Sequence, residues 1–201
     1  MKKKPGRLIA FEGIDGAGKS TQVRLFEEYL DNRGIESLFL REPTNGRWGK
    51  KIRSLLEEKD GKISPEDAFR LFTMDRRENV KKNILPALGS GRMVVLDRYY
   101  FSSIAYQGAL GIDPGLIRSS NESFAPKPDL VFLLEITPRK GLRRIEEGRG
   151  KRTTLYEKSG YLAKVKRIFR SMKDPCIRRI NASRPVDEVR EKIIAEFEKI
   201  S

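Results

Sequence analysis

Chemistry is most legible at Gly13-Ile14-Asp15-Gly16-Ala17-Gly18-Lys19-Ser20, which fills every fixed position of the pattern G-x-x-x-x-G-K-[ST]. Glycines allow the backbone to curl so that successive N–H groups face phosphate oxygens. Lys19 reaches the terminal phosphates and the Ser20 hydroxyl can bind Mg2+. A nucleotide held from Gly13 to Thr21 is the expectation. A second cluster, Asp97-Arg98-Tyr99, follows the apolar run Val94-Val95-Leu96. It sets a carboxylate suited to a Mg2+ shell beside a guanidinium that can grip phosphate oxygens bidentately. An acid alone would suffice for nucleotide hydrolysis; paired with Arg98, and with Arg41 of Arg41-Glu42-Pro43, it points to a phosphorylated acceptor. A third group, Arg143, Arg144, Arg149, Lys151 and Arg152, is interrupted by Gly148 and Gly150. Such a basic, glycine-flanked segment reads as a lid that neutralises charge on a transferring phosphoryl group and keeps water out. Arg143 and Arg144 fit a solvated helix face equally well.

The elements that must carry these groups follow from the apolar pattern. Runs at Leu8–Phe11, Ser37–Leu40, Met93–Leu96, Leu130–Ile136 and Ile177–Ile180 read as strands, with helical periodicity between them. Strand-helix alternation implies an α/β fold: a five-stranded parallel sheet flanked by helices on both faces. Ser64-Pro65-Glu66-Asp67, Thr137-Pro138 and Ser183-Arg184-Pro185 carry helix-start signals, and the last helix is expected from about Val186 to Ile200. In such sheets ligands bind beyond the carboxyl ends of the strands, where Asp15 to Ser20, Arg41, Asp97, Thr137 and Asn181 all fall.

Composition narrows the classes. The 201 residues suit one domain, and the absence of histidine removes imidazole acid–base chemistry and catalytic triads. No N-K-x-D motif reads guanine. The single cysteine, Cys176, cannot form an internal disulfide and is expected in the core. A net charge of +14 favours anionic partners without choosing among them, since Lys-, Arg- and Glu-rich surfaces also carry ion-pair networks. No apolar run approaches the roughly 18 residues of a membrane span and Met1-Lys2-Lys3-Lys4 does not open a signal sequence, so a cytoplasmic protein with no membrane partner is expected.

Over nearly its whole length the sequence resembles the thymidylate kinases. The resemblance rests on Phe11-Glu12-Gly13 through Thr21, Arg41-Glu42-Pro43, Leu71-Phe72 with Arg76, and Asp97-Arg98-Tyr99 with Ser102-Ser103 and Ala105-Tyr106-Gln107. Lys127-Pro128-Asp129-Leu130 through Pro138 completes it. It implies a fold like that of P-loop NTP hydrolases, one nucleoside monophosphate kinase domain over residues 1–201 with a lid at about 143–157, and a homodimer. It also implies ATP and Mg2+ as donor and cofactor and dTMP as acceptor. Phe72 is then placed on thymine, Arg76 at its O4 edge, Tyr106 against the ribose 2′ position, and Ser103 and Gln107 near base or sugar. Arg41, Glu42, Pro43, Asp97 and Arg98 form the rest of the acceptor site; Asp15 lies near the acceptor 3′-hydroxyl and phosphate, and Ser20 and Asp97 are the metal ligands. Gly16 stands where eukaryotic relatives carry arginine, so the bacterial and archaeal arrangement is implied, with Lys19, Arg98 and Arg149 or Arg152 as the cations at the transferring group. Thr44-Asn45-Gly46 replaces the frequent Gly-Gly-Thr, Glu135 a frequent aspartate, and Asn181 an aspartate on the adenine side. Two rivals stay open here: a related kinase with dUMP or another deoxynucleotide as acceptor, and an ATP-dependent nucleic-acid-binding protein. The second is disfavoured, with no nucleic-acid partner expected, because a binding module has no use for Phe72, Arg76 and Tyr106 in register with Asp97-Arg98-Tyr99.

Overall fold

A computed structural model describes residues 6–57, 63–149 and 159–200. Five parallel strands, β1 (Leu8–Glu12), β2 (Ser37–Arg41), β3 (Met93–Asp97), β4 (Leu130–Glu135) and β5 (Ile177–Asn181), form one sheet in the order β2-β3-β1-β4-β5. All of β1 is buried, as a strand covered on both faces must be, and it is apolar until its final residue. Phe11, Phe26, Phe132 and Phe197 interlock on one face, with Phe11–Phe132 and Phe26–Phe197 centroids each 5.1 Å apart. That cluster seats α1 (Lys19–Asn32) and α9 (Val186–Glu198) against the central strands.

Four strands run one residue past their apolar segments, ending at Glu12, Arg41, Asp97 and Asn181. These polar residues still pair: Asp97 is in register with both Phe11 and Arg41, and Asn181 with Glu135. The ladder therefore fixes the backbone from which these four polar side chains project, and β4 stops one residue short of Ile136.

The other helices are α2 (Arg47–Glu57), α3 (Pro65–Asn79), α4 (Leu85–Gly89), α5 (Tyr100–Ala109), α6 (Pro114–Glu122), α7 (Pro138–Arg149) and α8 (Ser159–Ser171). Ser64 caps α3 as its sequence signal predicts, its side chain accepting from the Asp67 N–H at 3.0 Å. Ser183 does not cap α9; Pro185 stands at that position without a side-chain bond. Between α3 and α4, Val80–Ile84 widens into a π-helical turn. Pro86 accounts for it, because a proline lacks the helical N–H and its ring crowds the carbonyl four residues back. Cys176 is half-buried beside the core just ahead of β5. Among the described residues no helix is long and apolar enough to cross a membrane.

Candidate active site

The loop after β1 has left-handed glycines at Gly13, Gly16 and Gly18, with φ of 139°, 75° and 88°. Ile14 and Ala17 anchor it in the core, and the Ala17 N–H donates to the Ile14 carbonyl at 3.2 Å. Lys19 folds back over the loop and donates from Nζ to the carbonyls of Gly13 and Ile14, both at 3.0 Å. Its burial, with Arg98 nearby, pulls the ammonium down to about 8. Ser20 Oγ donates to Asp97 Oδ2 at 2.8 Å, joining the loop to the end of β3, while Thr21 is exposed.

Gly16 has a second constraint beyond its φ. A Cβ built there would stand 2.1 Å from the carbonyl oxygen of Gly141 in α7, and one on Gly141 would stand 2.6 Å from that of Asp15. The first turn of α7 thus lies directly on the loop, backbone against backbone. Arginine at position 16 has no room unless α7 moves. Gly16→Arg is accordingly expected to lower kcat by about a hundredfold, the scale of a displaced reacting geometry, rather than add a useful cation. Steady-state kcat checks this, and an increase would overturn it. One turn on, Arg144 Nη1 comes within 3.9 Å of a Cβ position built on Gly18, whereas Arg143 pairs with Glu147 at 3.4 Å on the exposed face. Arg149 ends α7, but its side chain, Lys151 and Arg152 lie outside the described residues, as does most of the expected lid.

Arg98 joins the loop to the other half of the site. Its Nη2 donates to Asp15 Oδ1 at 2.5 Å and its Nη1 to the Gly13 carbonyl at 3.2 Å and Ser102 Oγ at 3.1 Å. Tyr106 OH donates to Asp15 Oδ2 at 2.8 Å, and its oxygen accepts from the Asp15 N–H at 3.1 Å. Burial opposes the Asp15 carboxylate, yet Arg98 and Lys19 hold it below its usual range. Behind this triad Glu12 is fully buried and takes the place of a side-chain cap at the start of α5. Its Oε1 accepts from the Tyr99 and Ser102 N–H groups at 2.8 and 3.1 Å, and its Oε2 from Ser102 Oγ at 2.5 Å.

Burial pushes the Glu12 carboxyl up from 4.5 to about 7, against Ser102 and Arg98, which favour the anion. Between those two values the native state holds a proton that the unfolded chain has released, so this stabilisation is full below 4.5 and lost as pH rises through about 7. Glu12→Gln is expected to flatten that decline. Urea midpoints at about pH 5 and about pH 8 check it; an unchanged difference would remove Glu12 from the pH response.

Beside the triad opens a cleft of about 1070 Å³ lined by Arg41, Phe72, Arg76, Ser103, Tyr106 and Gln107, among others. Phe72 and Arg76 share a face of α3, four residues apart. Arg76 is almost fully enclosed: Nε donates to Glu42 Oε2 and Nη1 to Asn121 Oδ1, each at 2.7 Å, and Nη2 to Ser103 Oγ at 3.1 Å. Glu42 is consequently engaged with Arg76 and Asn79, and burial raises its carboxyl despite Arg76. Pro43 follows through a cis peptide bond. Arg41 is exposed, its Nε 3.9 Å from Asp97 Oδ2. Thr44 is gripped twice by buried Asp75, through its N–H at 2.7 Å and hydroxyl at 2.6 Å, so the departure at Thr44-Asn45-Gly46 comes with its own clamp. Glu135 pairs with Arg179 and Arg170 at 3.3 and 3.5 Å, and Asn181 Oδ1 accepts the Ser183 N–H at 3.0 Å. Glu12, Asp75, Asn79 and Asn121 are the polar residues sequence reasoning missed here; their signal is a polar residue at an otherwise buried position of a strand or helix face.

A phosphate loop at the head of a parallel sheet, tied through Arg98 to a deep cleft with an aromatic and an arginine on one helix face, defines a P-loop phosphotransferase with a nucleotide-sized acceptor site. The sequence profile of the thymidylate kinase family matches residues 11–193. The chain is 46% identical over 200 residues to the thymidylate kinase of Desulfotalea psychrophila, covering 100% of this chain and 98% of that protein. It is 47% identical over 186 residues to the probable thymidylate kinase of Archaeoglobus fulgidus, covering 92% of each, and 45% identical over 191 residues to the thymidylate kinase of Akkermansia muciniphila, covering 95% of this chain and 91% of that one. The chain belongs to the thymidylate kinase family.

Proposed function

We propose that this site transfers the γ-phosphoryl group of ATP to the 5′-phosphate oxygen of dTMP, giving ADP and dTDP. The observation that carries the reading is the bond from Arg98 to Asp15 and the Gly13 carbonyl, which puts one guanidinium between the phosphate loop and the acceptor cleft. The acceptor phosphate is already anionic near neutral pH, so its oxygen attacks without a strong general base and the missing histidine is immaterial. What the residues supply is alignment and charge: loop N–H groups and Lys19 on the donor, Arg41 and Arg98 on the acceptor phosphate, and a lid cation from Arg149 or Arg152. Phe72 offers thymine a face, Arg76 offers its 4-carbonyl a donor, and Tyr106 fills the space a ribose 2′-hydroxyl would need, with Ser103 and Gln107 around the base.

Asp97 Oδ1 is a buried carboxylate oxygen without a hydrogen-bond partner among the described residues, and Ser20 Oγ lies 2.8 Å from its Oδ2. That donor set fits Mg2+, a hard cation that takes carboxylate, hydroxyl and phosphate oxygens, and Ser20 and Asp97 are the residues to hold it. Held by Ser20 and Asp97, Mg2+ would supply positive charge against the negative charge of the phosphate groups. Asn181 is read as the adenine-side residue. The chain is further read as one kinase domain, acting in the cytoplasm as a homodimer; exposed Met74 on α3 and Leu85 on α4 are apolar side chains a second copy would cover.

ADP formation from ATP and Mg2+, with dTMP, dUMP, dCMP, dGMP and dAMP supplied separately, tests the reading. Strong preference for dTMP is expected. Equal turnover of another acceptor would discard the roles given to Phe72, Arg76 and Tyr106, and no turnover of any would discard the transfer.

A further inference from the structure

Asn121 stands near the end of α6, at a helix position completely closed to solvent. Its side chain bridges two groups: Nδ2 donates to the Ile117 carbonyl at 2.7 Å, and Oδ1 accepts from Arg76 Nη1 at 2.7 Å. The amide has one workable orientation, because turning it over would set NH2 against a guanidinium N–H and oxygen against a carbonyl. Arg76 has five N–H donors. Among the described residues Glu42, Asn121 and Ser103 take one each, from a loop and two helices, which leaves one on each terminal nitrogen. Counter-charge already comes from Glu42. Asn121 adds no charge, so what it supplies is direction.

We propose that Asn121 is a positioning residue that sets acceptor specificity, by holding the Arg76 guanidinium so that its remaining donors face position 4 of the pyrimidine. The class selected is a 4-oxo pyrimidine nucleoside monophosphate. A carbonyl there accepts the N–H; the 4-amino group of cytosine cannot, and it leaves a buried donor unpaired. Without Asn121 the guanidinium is held only by Glu42 at Nε and Ser103 at Nη2 and can swing out of line, which weakens the bond to the 4-oxo acceptor and eases the mismatch with the 4-amino one. The inference rests on the reading that places Arg76 at the edge of the base.

The test measures kcat and KM for dTMP and dCMP, with ATP and Mg2+, in the full chain and in Asn121→Ala and Asn121→Asp. Asn121→Ala is expected to lower kcat/KM for dTMP by at least about tenfold, to shrink the dTMP-to-dCMP ratio by a similar factor, and to leave KM for ATP in place. Asn121→Asp retains an acceptor oxygen for Arg76 but loses the donor to the Ile117 carbonyl, and is expected to restore part of the ratio at a lower melting temperature. A purely structural asparagine would lower the melting temperature and leave the ratio alone, and an unchanged ratio in folded Asn121→Ala overturns the proposal. If Asn121→Ala lacks a cooperative melt, Asn121→Ser, too short to reach the guanidinium, is read the same way. Should the unaltered chain itself turn over dCMP as well as dTMP, the placement of Arg76 at the base fails first; a discriminating parent with equally discriminating variants defeats only the role of Asn121.

Discussion

Lys19→Ala is expected to lower kcat by about a thousandfold, the scale seen when a preorganised donor to a developing negative charge is removed. The lysine is 6% exposed and its Nζ already bonds the Gly13 and Ile14 carbonyls, so the ammonium waits at the rim of the loop rather than in solvent. Entering phosphates find it preorganised. Arg98 beside it does not duplicate this role, because its Nη groups are tied to Asp15, the Gly13 carbonyl and Ser102, and what remains of its fork is turned to the acceptor phosphate. Position 19 opens α1, where alanine is a good helix former, so the fold should persist. Steady-state kcat with saturating ATP and dTMP, beside a thermal melt, checks both statements. A folded variant within about tenfold of the parent would remove Lys19 from the transfer step.

The difference between what could be read from the sequence and what could not follows the range of the interactions. Strands, their parallel arrangement and the phosphate loop rest on local patterns: apolar runs, glycines, and the Ser64-Pro65 start of α3. Those patterns stop at polar residues, which is why strand ends at Glu12, Arg41, Asp97 and Asn181 read as loops although the ladder runs through them. The locking groups are long-range in the chain. Glu12 reaches the start of α5, Asp75 holds Thr44, and Asn121 meets Arg76 across 45 positions. No local rule distinguishes such a residue from a solvated one until the fold buries it. Gly141 is the same case in backbone form: a helix-interior glycine is only an unfavourable residue until the Asp15 carbonyl is seen against it. Arg143 and Arg144 were indistinguishable in the sequence because adjacent helix positions point about 100° apart, and only the seating of α7 on the loop separates them.

Arg98→Ala and Arg98→Gly should lose activity together and differ in stability. Arg98 has φ 73°, the only positive value at a described residue other than glycine. A non-glycine side chain in that region costs about 1–2 kcal/mol. The turn is imposed from both sides: the Arg98 N–H donates to the Phe11 carbonyl at 3.0 Å, and Glu12 fixes the next N–H, that of Tyr99, at 2.8 Å. Strain is tolerated there because it turns the guanidinium back over the phosphate loop instead of along β3. Alanine keeps the strained backbone and removes the guanidinium; glycine removes both, so Arg98→Gly is expected to melt several degrees above Arg98→Ala. In either variant Asp15 keeps the Tyr106 hydroxyl and the more distant Lys19 but loses its closest cation, so the attraction offered to the acceptor phosphate turns to repulsion. Loss of about a hundredfold to a thousandfold in kcat/KM for dTMP is expected, with less change in KM for ATP, since Lys19 and the loop N–H groups remain. Arg98→Lys should recover little, because a single ammonium cannot reproduce the fork that reaches Asp15 and the Gly13 carbonyl together. Thermal melts and acceptor titrations on the three variants decide it: equal melting of the glycine and alanine forms would mean that the turn holds no strain, and dTMP kinetics within about tenfold of the parent would mean that Arg98 holds the loop without touching the acceptor.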